Sequence, residues 1–217
     1  MHPGTMLGCM SFSSTERARL AALLLELGPD APTLCEGWTT RDLAVHLYLR
    51  ENNLPAALGM FVPALAGRLA KASARAGERD YEDLVRDWAE GPGRLNPVRL
   101  VDKQMNTAEH FVHHEDVRRG DGVARPREFS AVVKEQLHGI LRMLAPRLLR
   151  RSLSPVILHP TGLPRIVAAD ERGVSLDGEN VVRVSGSVGE LLLWVLGRDA
   201  VEVLIDGTAS DVRRSGL

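Results

Sequence analysis

Residues 106–116 read Asn-Thr-Ala-Glu-His-Phe-Val-His-His-Glu-Asp, which places three histidines and three carboxylates within one short segment. Side chains four residues apart on a helix lie one turn above each other on the same face. Two such pairs occur here, Glu109 with His113 and His110 with His114. If this segment forms a helix, the pair that faces the protein interior is the better candidate for a binding site.

A helical wheel separates the two pairs, because each residue of an α-helix advances by about 100°. The apolar positions of the segment cluster on one side of the wheel, at Met105, Ala108 and Val112. Glu109, His113 and Asp116 border this apolar stripe, whereas His110 and His114 lie on the other side. We therefore expect the first three side chains to approach the core and the last two histidines to face solvent.

A carboxylate beside an apolar core is costly unless a positive charge compensates it. A divalent ion can do so, and paired Glu and His side chains on one helix are a common metal-binding device in helical bundles. A third ligand is available in His46, at the edge of the apolar stripe of another predicted helix. The sequence therefore predicts a metal site at His46, Glu109 and His113. Asp116 would be an additional ligand or would orient an imidazole.

Two histidines and one glutamate with an open position are typical of catalytic zinc sites. Nickel, iron, cobalt and manganese accept the same ligands, so zinc is favoured without being the only candidate. Taken alone, a Glu/His pair at this spacing is more often a surface pair. A lone histidine such as His46 is likewise more often an ordinary buried residue. Spacing by itself leaves both interpretations open.

Composition excludes several classes of protein. The chain has 217 residues and a net charge of −1, which does not favour binding to nucleic acid. Its apolar run Leu20–Leu25 is too short to span a membrane, and the N-terminus does not resemble a signal peptide. Cys9 and Cys35 are the only cysteines, so we expect reduced thiols and a cytoplasmic location.

Periodicity and turn residues predict an α+β protein. Residues 1–11 are expected to form a disordered extension, residues 12–152 a helical domain and residues 153–217 a small α+β domain. In the helical domain, Ser13 or Ser14 is expected to cap the first helix. Further expected helices cover 39–53, 81–90, 100–119 and 129–151. In the last domain, strands are expected at 156–160, 165–169, 181–184 and 201–205, with a helix at 187–196.

The segment Gly37-Trp-Thr-Thr-Arg-Asp-Leu-Ala-Val-His-Leu47, followed by Glu109-x-x-x-His113, resembles the DinB-like superfamily. The resemblance is greatest to the branch of mycothiol-dependent maleylpyruvate isomerases. Residues 189–207 resemble the C-terminal domain of that branch. The resemblance implies a four-helix bundle that holds zinc or a similar ion through His46, Glu109 and His113, followed by a small α+β domain. Residues 113–119 are more similar to an actinobacterial subgroup than to the isomerase itself.

The resemblance also implies a function. A bound ion would favour the thiolate of mycothiol or a similar small thiol, which would attack a small electrophilic substrate in a transferase or isomerase reaction. In this scheme Cys35 is not required. A metal-dependent hydrolase and a non-catalytic metal- or thiol-sensing protein with a protein partner are the alternatives.

Arginines near the C-terminus are the candidates for substrate binding, although a surface position is the commoner role for each. They are Arg183 and Arg198, followed by Arg213 and Arg214. The sequence leaves open whether the protein is a monomer or a dimer. It also leaves open whether the apolar segment 54–69 lines a ligand pocket or only packs.

Overall fold

The computed structural model describes residues 11–60, 62–92, 103–170 and 181–215. They form helices and one four-stranded mixed sheet, which confirms the α+β class. The predicted disordered extension lies outside the described residues except for Ser11. The chain divides into two compact units, one ending at Arg118 and the other beginning at Arg119.

The first unit is helical. Its helices are α1 (Phe12–Leu27), α2 (Thr40–Asn52), the short α3 (Leu54–Ala57), α4 (Ala66–Gly77), α5 (Tyr81–Ala89) and α6 (Lys103–Arg118). Single 3₁₀ turns at Leu58–Met60 and Pro63–Leu65 precede α4. Helix α1 packs against α5 and α6, and α2 packs against α4 and α5. Their apolar faces meet in a core whose members include Leu20, Leu24, Leu43, Leu47, Leu84 and Trp88.

Capping residues fix where the first two helices begin. Thr39 accepts a hydrogen bond from the backbone N–H of Asp42, and the Asp42 carboxylate accepts one from the backbone N–H of Thr39. This reciprocal capping box is the one that the sequence predicts. The predicted cap of α1 at Ser13 or Ser14 is wrong, because Ser11 accepts the hydrogen bond from the N–H of Ser14. The helix therefore starts one turn earlier.

Helix α6 contains residues 106–116, the segment with three histidines and three carboxylates. It is predicted over 100–119 and is observed from Lys103 to Arg118, while residues 93–102 lie outside the described part of the chain. The apolar side of α1 is only partly buried, since Leu20 and Leu24 are fully enclosed while Leu27 at the end of the helix is 44% exposed. None of the described helices combines the length and the apolar character needed to cross a lipid bilayer.

The described part of the second unit consists mainly of two helices and a four-stranded sheet. Its elements are α7 (Ala131–Leu148), β1 (Val156–Pro160), β2 (Ile166–Ala169), β3 (Val182–Gly186), α8 (Val188–Val195) and β4 (Val203–Asp206). The strand order is β2-β1-β3-β4. Strands β1 and β3 are parallel, and both outer pairs are antiparallel. Each predicted strand and the helix between the last two strands are thereby confirmed, with ends that differ by a few residues.

Helix α7 packs against α8 and β2. The sequence assigned these residues to the helical domain, with a boundary between 152 and 153. The domain boundary stays a prediction. The contacts of α7 are with elements of the second unit. Every residue of α8 is buried, which explains why its sequence is apolar on all sides except at Glu190.

An ion pair lies inside the second unit. The Arg119 guanidinium donates to both carboxylate oxygens of Glu190, at 2.6 and 3.0 Å, and both side chains are buried. Arg119 also donates to the carbonyl of Ala200 at 2.7 Å, and Glu190 accepts the backbone N–H of Glu202 at 2.8 Å. The charges are therefore paired and hydrogen-bonded, as burial requires.

Candidate metal centre

Helices α2 and α6 bring the three predicted ligands together in the first unit. Nε2 of His46 lies 3.8 Å from Oε2 of Glu109, and Nε2 of His113 lies 3.4 Å from the same oxygen. One ligand atom from each side chain lies within 4.8 Å of the other two. The two imidazole rings meet edge to face, with centroids 5.2 Å apart. This spacing allows all three side chains to contact one ion.

Two of these ligand atoms make no hydrogen bond. His46 Nε2 and Glu109 Oε2 are both buried, and neither has a hydrogen-bond partner among the described residues. A buried polar atom without a partner is costly, and a carboxylate oxygen especially so. A divalent cation between them would satisfy both atoms at once. The donor set, two imidazoles and a carboxylate, is also one that such ions accept.

Asp116 supports His113 from behind. Its Oδ2 lies 3.0 Å from Nδ1 of His113 and accepts a hydrogen bond from Sγ of Cys35 at 3.2 Å. The backbone carbonyl of Asp116 accepts the N–H of Leu34 at 3.0 Å, and the side chain is fully buried. A hydrogen bond at one ring nitrogen fixes the orientation of the imidazole and leaves the other nitrogen available to a ligand.

Cys35, His113 and Asp116 form a second group whose ligand atoms lie close enough to hold an ion. In this group the three side chains already satisfy each other through the contacts to Asp116. The group with His46 and Glu109 contains the two buried atoms that make no hydrogen bond, so it is the stronger candidate.

Burial and neighbouring charges perturb the titration of all three ligands. Burial lowers the pKa of His46, which favours the neutral imidazole that a metal needs. Burial alone would raise the pKa of Glu109, but the imidazoles of His113 and His46 and the charge of Arg50 hold it well below its usual range. For His113, burial is outweighed by Asp116, Cys35 and Glu109, which raise its pKa well above the ordinary value. Glu109 is therefore ionised at neutral pH.

Two neighbours that sequence reasoning missed also shape the site. Nε of Arg50 lies 3.4 Å from Oε2 of Glu109, and its Nη1 donates to Oδ1 of Asn106 at 3.0 Å. The indole of Trp38 packs against the ring of His46, with centroids 5.3 Å apart. The four-residue spacing between His46 and Arg50 could have indicated that both share one face of α2.

The expectation that His110 and His114 face solvent is wrong, because both are buried. His110 Nδ1 lies 2.9 Å from Oγ of Ser13, and its Nε2 lies 3.2 Å from Oε1 of Glu51. His114 Nδ1 lies 2.9 Å from Oε2 of Glu16. A helical wheel with one apolar stripe assumes one buried face. Helix α6 is enclosed on a second side by α1, where polar partners replace apolar contacts.

The candidate arginines for substrate binding lie in the second unit. Arg183 lies 3.7 Å from the carboxylate of Asp206, and Arg198 donates to the carbonyl of Leu196 at 2.7 Å. Arg213 is exposed, and Arg214 pairs with Asp199 at 2.6 Å. A role for any of them in substrate binding stays a prediction.

Sequence comparison finds no matching protein-family model and no matching curated protein. Two solved structures match in fold. A crystal structure of the mycothiol-dependent maleylpyruvate isomerase aligns with a TM-score of 0.56 and 17% identity, over 94% of each chain. A histidine-to-alanine mutant of that isomerase aligns with a TM-score of 0.58 and 16% identity, also over 94% of each chain. The chain therefore has the fold that the sequence resemblance implies.

Proposed function

We propose that this protein binds one divalent cation, zinc in the first place, through His46, Glu109 and His113. We further propose that it acts with a small thiol, mycothiol or a similar one, on a small electrophilic substrate as a transferase or isomerase. The observation that carries the metal proposal is that two buried atoms of the cluster, His46 Nε2 and Glu109 Oε2, make no hydrogen bond. The thiol proposal is supported by the fold, which is similar to that of an isomerase described as mycothiol-dependent.

When bound, the ion would supply a positive charge that favours the thiolate form of a coordinating thiol. The protein's own groups prepare the site for this. Asp116 Oδ2 lies within hydrogen-bond distance of Nδ1 of His113, so Nε2, on the side of Glu109, is the ring nitrogen that can bind an ion once its proton is lost. Arg50 lies beside the Glu109 carboxylate, with Nε 3.4 Å from Oε2, and its charge favours the ionised form that a metal needs. Three protein ligands leave one coordination position for a small molecule.

The thiol route is favoured over hydrolysis because the other described carboxylates of α6, Glu115 and Asp116, are occupied by contacts with neighbouring side chains. Hydrolysis needs a general base to take a proton from water. Asp116 is engaged by His113 and Cys35, and the Glu115 carboxylate accepts two hydrogen bonds from Arg118, at 3.0 and 2.8 Å. A thiol is a far stronger acid than water and can release its proton to solvent when it binds an ion, so the thiol route depends less on such a base.

The test begins with metal content. Purified protein dialysed against zinc should retain about one ion per chain, and His46→Ala should lose most of it. The matched control is His159→Ala, which removes a histidine from β1 in the second unit. It should retain its zinc. Equal metal content in all three proteins would overturn the metal site.

Thiol binding is then measured on the cobalt(II)-substituted protein, because a thiolate ligand adds a charge-transfer absorption band. We expect the band when mycothiol is titrated into the wild-type protein and expect none with His46→Ala. Turnover of a small electrophile should require both the ion and the thiol. A protein that holds its metal but shows neither the band nor thiol-dependent turnover would contradict the transferase or isomerase proposal.

A further inference from the structure

A pocket with a volume of about 420 Å³ lies where α4 meets the end of α2 and the short α3. Sites for small organic molecules commonly measure about 300–1,000 Å³ and combine apolar walls with a few polar groups. The apolar part of this wall comes from all three helices, through Leu49, Ala56, Ala72 and Ala76. Because Ala56 belongs to the apolar segment 54–69, that segment lines a pocket and does not only pack. None of the three proposed metal ligands is among the described residues that line it.

Four cationic side chains line the same pocket, namely Arg68, Lys71, Arg75 and Arg79. Arg79 is compensated, since its Nη2 lies 2.5 Å from Oδ2 of Asp87. The other three form no ion pair with any residue that the structure describes. The described lining also contains no carboxylate. The pocket therefore carries three positive charges that no described side chain neutralises.

The sequence of α4 places these three charges on one face. Arg68, Lys71 and Arg75 are separated by three and four residues, the spacing at which side chains on a helix are neighbours. Like charges at this spacing destabilise the helix. Helix α4, from Ala66 to Gly77, contains no acidic residue that would offset the repulsion. A bound polyanion would remove it.

The arrangement of the cations indicates which anion fits. A concave surface lined by charges of one sign concentrates counter-ions. An arginine fork can donate to two phosphate oxygens at once, and a lysine adds a point charge. Arg68 and Arg75 are about 10 Å apart along the helix axis, with Lys71 between them. Three cations over this length suit two linked phosphate groups better than a single carboxylate.

We propose that this pocket binds a small organic polyphosphate of the nucleoside diphosphate class. Arg68, Lys71 and Arg75 contact the phosphate groups, and the organic body lies on the apolar wall formed by Leu49 and Ala56. This is a second ligand site, separate from the metal and thiol function proposed above.

ADP and adenosine test the proposal by calorimetric titration of the full-length, zinc-loaded protein. The two probes share the organic body and differ in the diphosphate. We expect one ADP to bind per chain, at least about tenfold more tightly than adenosine. The affinity for ADP should fall as the salt concentration rises, because salt screens exposed charges. Absence of ADP binding, or equal affinity for adenosine, would overturn the proposal.

A charge reversal on α4 locates the bound ADP. Lys71→Glu changes an exposed position, so the helix should tolerate it. Lys134→Glu makes the same change at an exposed position of α7 in the second unit. We expect the first variant to weaken ADP binding at least about tenfold and the second to leave it within about twofold. Equal effects would overturn the location, and Arg75→Glu provides a second test of it.

His46→Ala excludes binding of the diphosphate to the metal ion. ADP should bind this variant as it binds the wild type, since His46 does not line the pocket. Loss of ADP binding in His46→Ala together with its retention in Lys71→Glu would assign the diphosphate to the ion and overturn the proposal. A protein that binds ADP but no zinc would contradict the proposed function and leave the pocket assignment standing.

Vesicles distinguish a soluble polyphosphate from the phosphate groups of a lipid surface. We expect the protein not to sediment with phosphatidylcholine vesicles that contain phosphatidylglycerol, because the cations line a pocket. Sedimentation that Lys71→Glu abolishes, in a protein that does not bind ADP, would assign the cations to a lipid surface and overturn the proposal.

Discussion

His113 uses its two ring nitrogens for two different neighbours. Nδ1 lies 3.0 Å from Oδ2 of Asp116, and Nε2 lies 3.4 Å from Oε2 of Glu109. The contact with Asp116 sets the orientation of the ring, and the contact with Glu109 places Nε2 at the candidate metal centre. The buried Asp116 carboxylate is thus placed to affect the binding of an ion through His113, without contacting the ion itself.

Replacing Asp116 tests this relationship. Asp116→Asn keeps the size of the side chain but removes its charge, so the imidazole loses its strong acceptor. We expect zinc affinity to fall by about tenfold to a hundredfold. Competition with a chelating dye measures the change. Asp121→Asn, at an exposed carboxylate of the second unit, is the control and should bind zinc as the wild type does. Unchanged affinity in Asp116→Asn would show that the carboxylate does not support the site.

Cys35→Ser distinguishes the two groups that could hold an ion. Serine keeps a donor towards Asp116 but is a poor zinc ligand compared with a thiolate. If the ion binds at His46, Glu109 and His113, zinc affinity should change by less than about threefold, since that site is intact. Loss of zinc in Cys35→Ser together with retention in His46→Ala would assign the ion to Cys35, His113 and Asp116 instead.

The stability of the first unit should depend on the ionisation of Glu51. Burial alone would raise the pKa of this carboxyl, but hydrogen bonding to His110 and the charge of Arg17 lower it below the ordinary value. Below the ordinary glutamate pKa of about 4.3, the unfolded chain takes up the proton first. The stabilisation is therefore complete above that pH and is lost as the pH falls through the lower folded-state pKa.

Glu51→Gln provides the measurement. Urea unfolding of the wild type should show a free energy of unfolding that falls as the pH decreases below about 4.3, and this part of the decrease should be absent in the variant. Glu82→Gln, at a carboxylate that is 61% exposed, is the control and should keep the wild-type dependence. Identical slopes for Glu51→Gln and the wild type would contradict a role for Glu51.

The buried pair in the second unit predicts a non-additive result. Arg119→Met alone leaves Glu190 buried without its partner and should lower the free energy of unfolding by about 3–5 kcal/mol. The double variant Arg119→Met with Glu190→Leu removes both charges, so it should be less destabilised than the single variant. A double-mutant cycle by urea unfolding gives the coupling energy. Additive effects would show that the two charges do not stabilise each other.

The helices and strands could largely be predicted because their signals are local. The Thr39/Asp42 capping box, the β-branched strand segments and the mostly apolar α8 each depend on residues close together in the chain. The start of α1 was misplaced because several adjacent serines offer the same hydroxyl cap, and only the structure shows that Ser11 is used. Residues that are chemically alike cannot be ranked by local sequence alone.

Contacts between side chains that are distant in the chain could not be predicted from local sequence. Glu109 and His113 share a helix face at any orientation of α6, so their spacing alone predicts that they are neighbours. His110 and His114 obey the same spacing, yet their burial depends on Ser13, Glu16 and Glu51, which come from α1 and α2. A wheel drawn for α6 contains no information about those partners.

The sequence by itself therefore determined most of the elements, the α+β class and which side chains of α6 are stacked in register, since these follow from backbone periodicity and capping. Only the tertiary structure decided that α4 forms, which histidines are enclosed, that Arg50 and Trp38 flank the site, and that two buried ligand atoms make no hydrogen bond. The physical reason is that burial and the satisfaction of hydrogen bonds depend on the packing of helices that are distant in the chain. The segment 106–116 supplies the ligands, and the packing of α6 against α1 and α2 decides which of them meet.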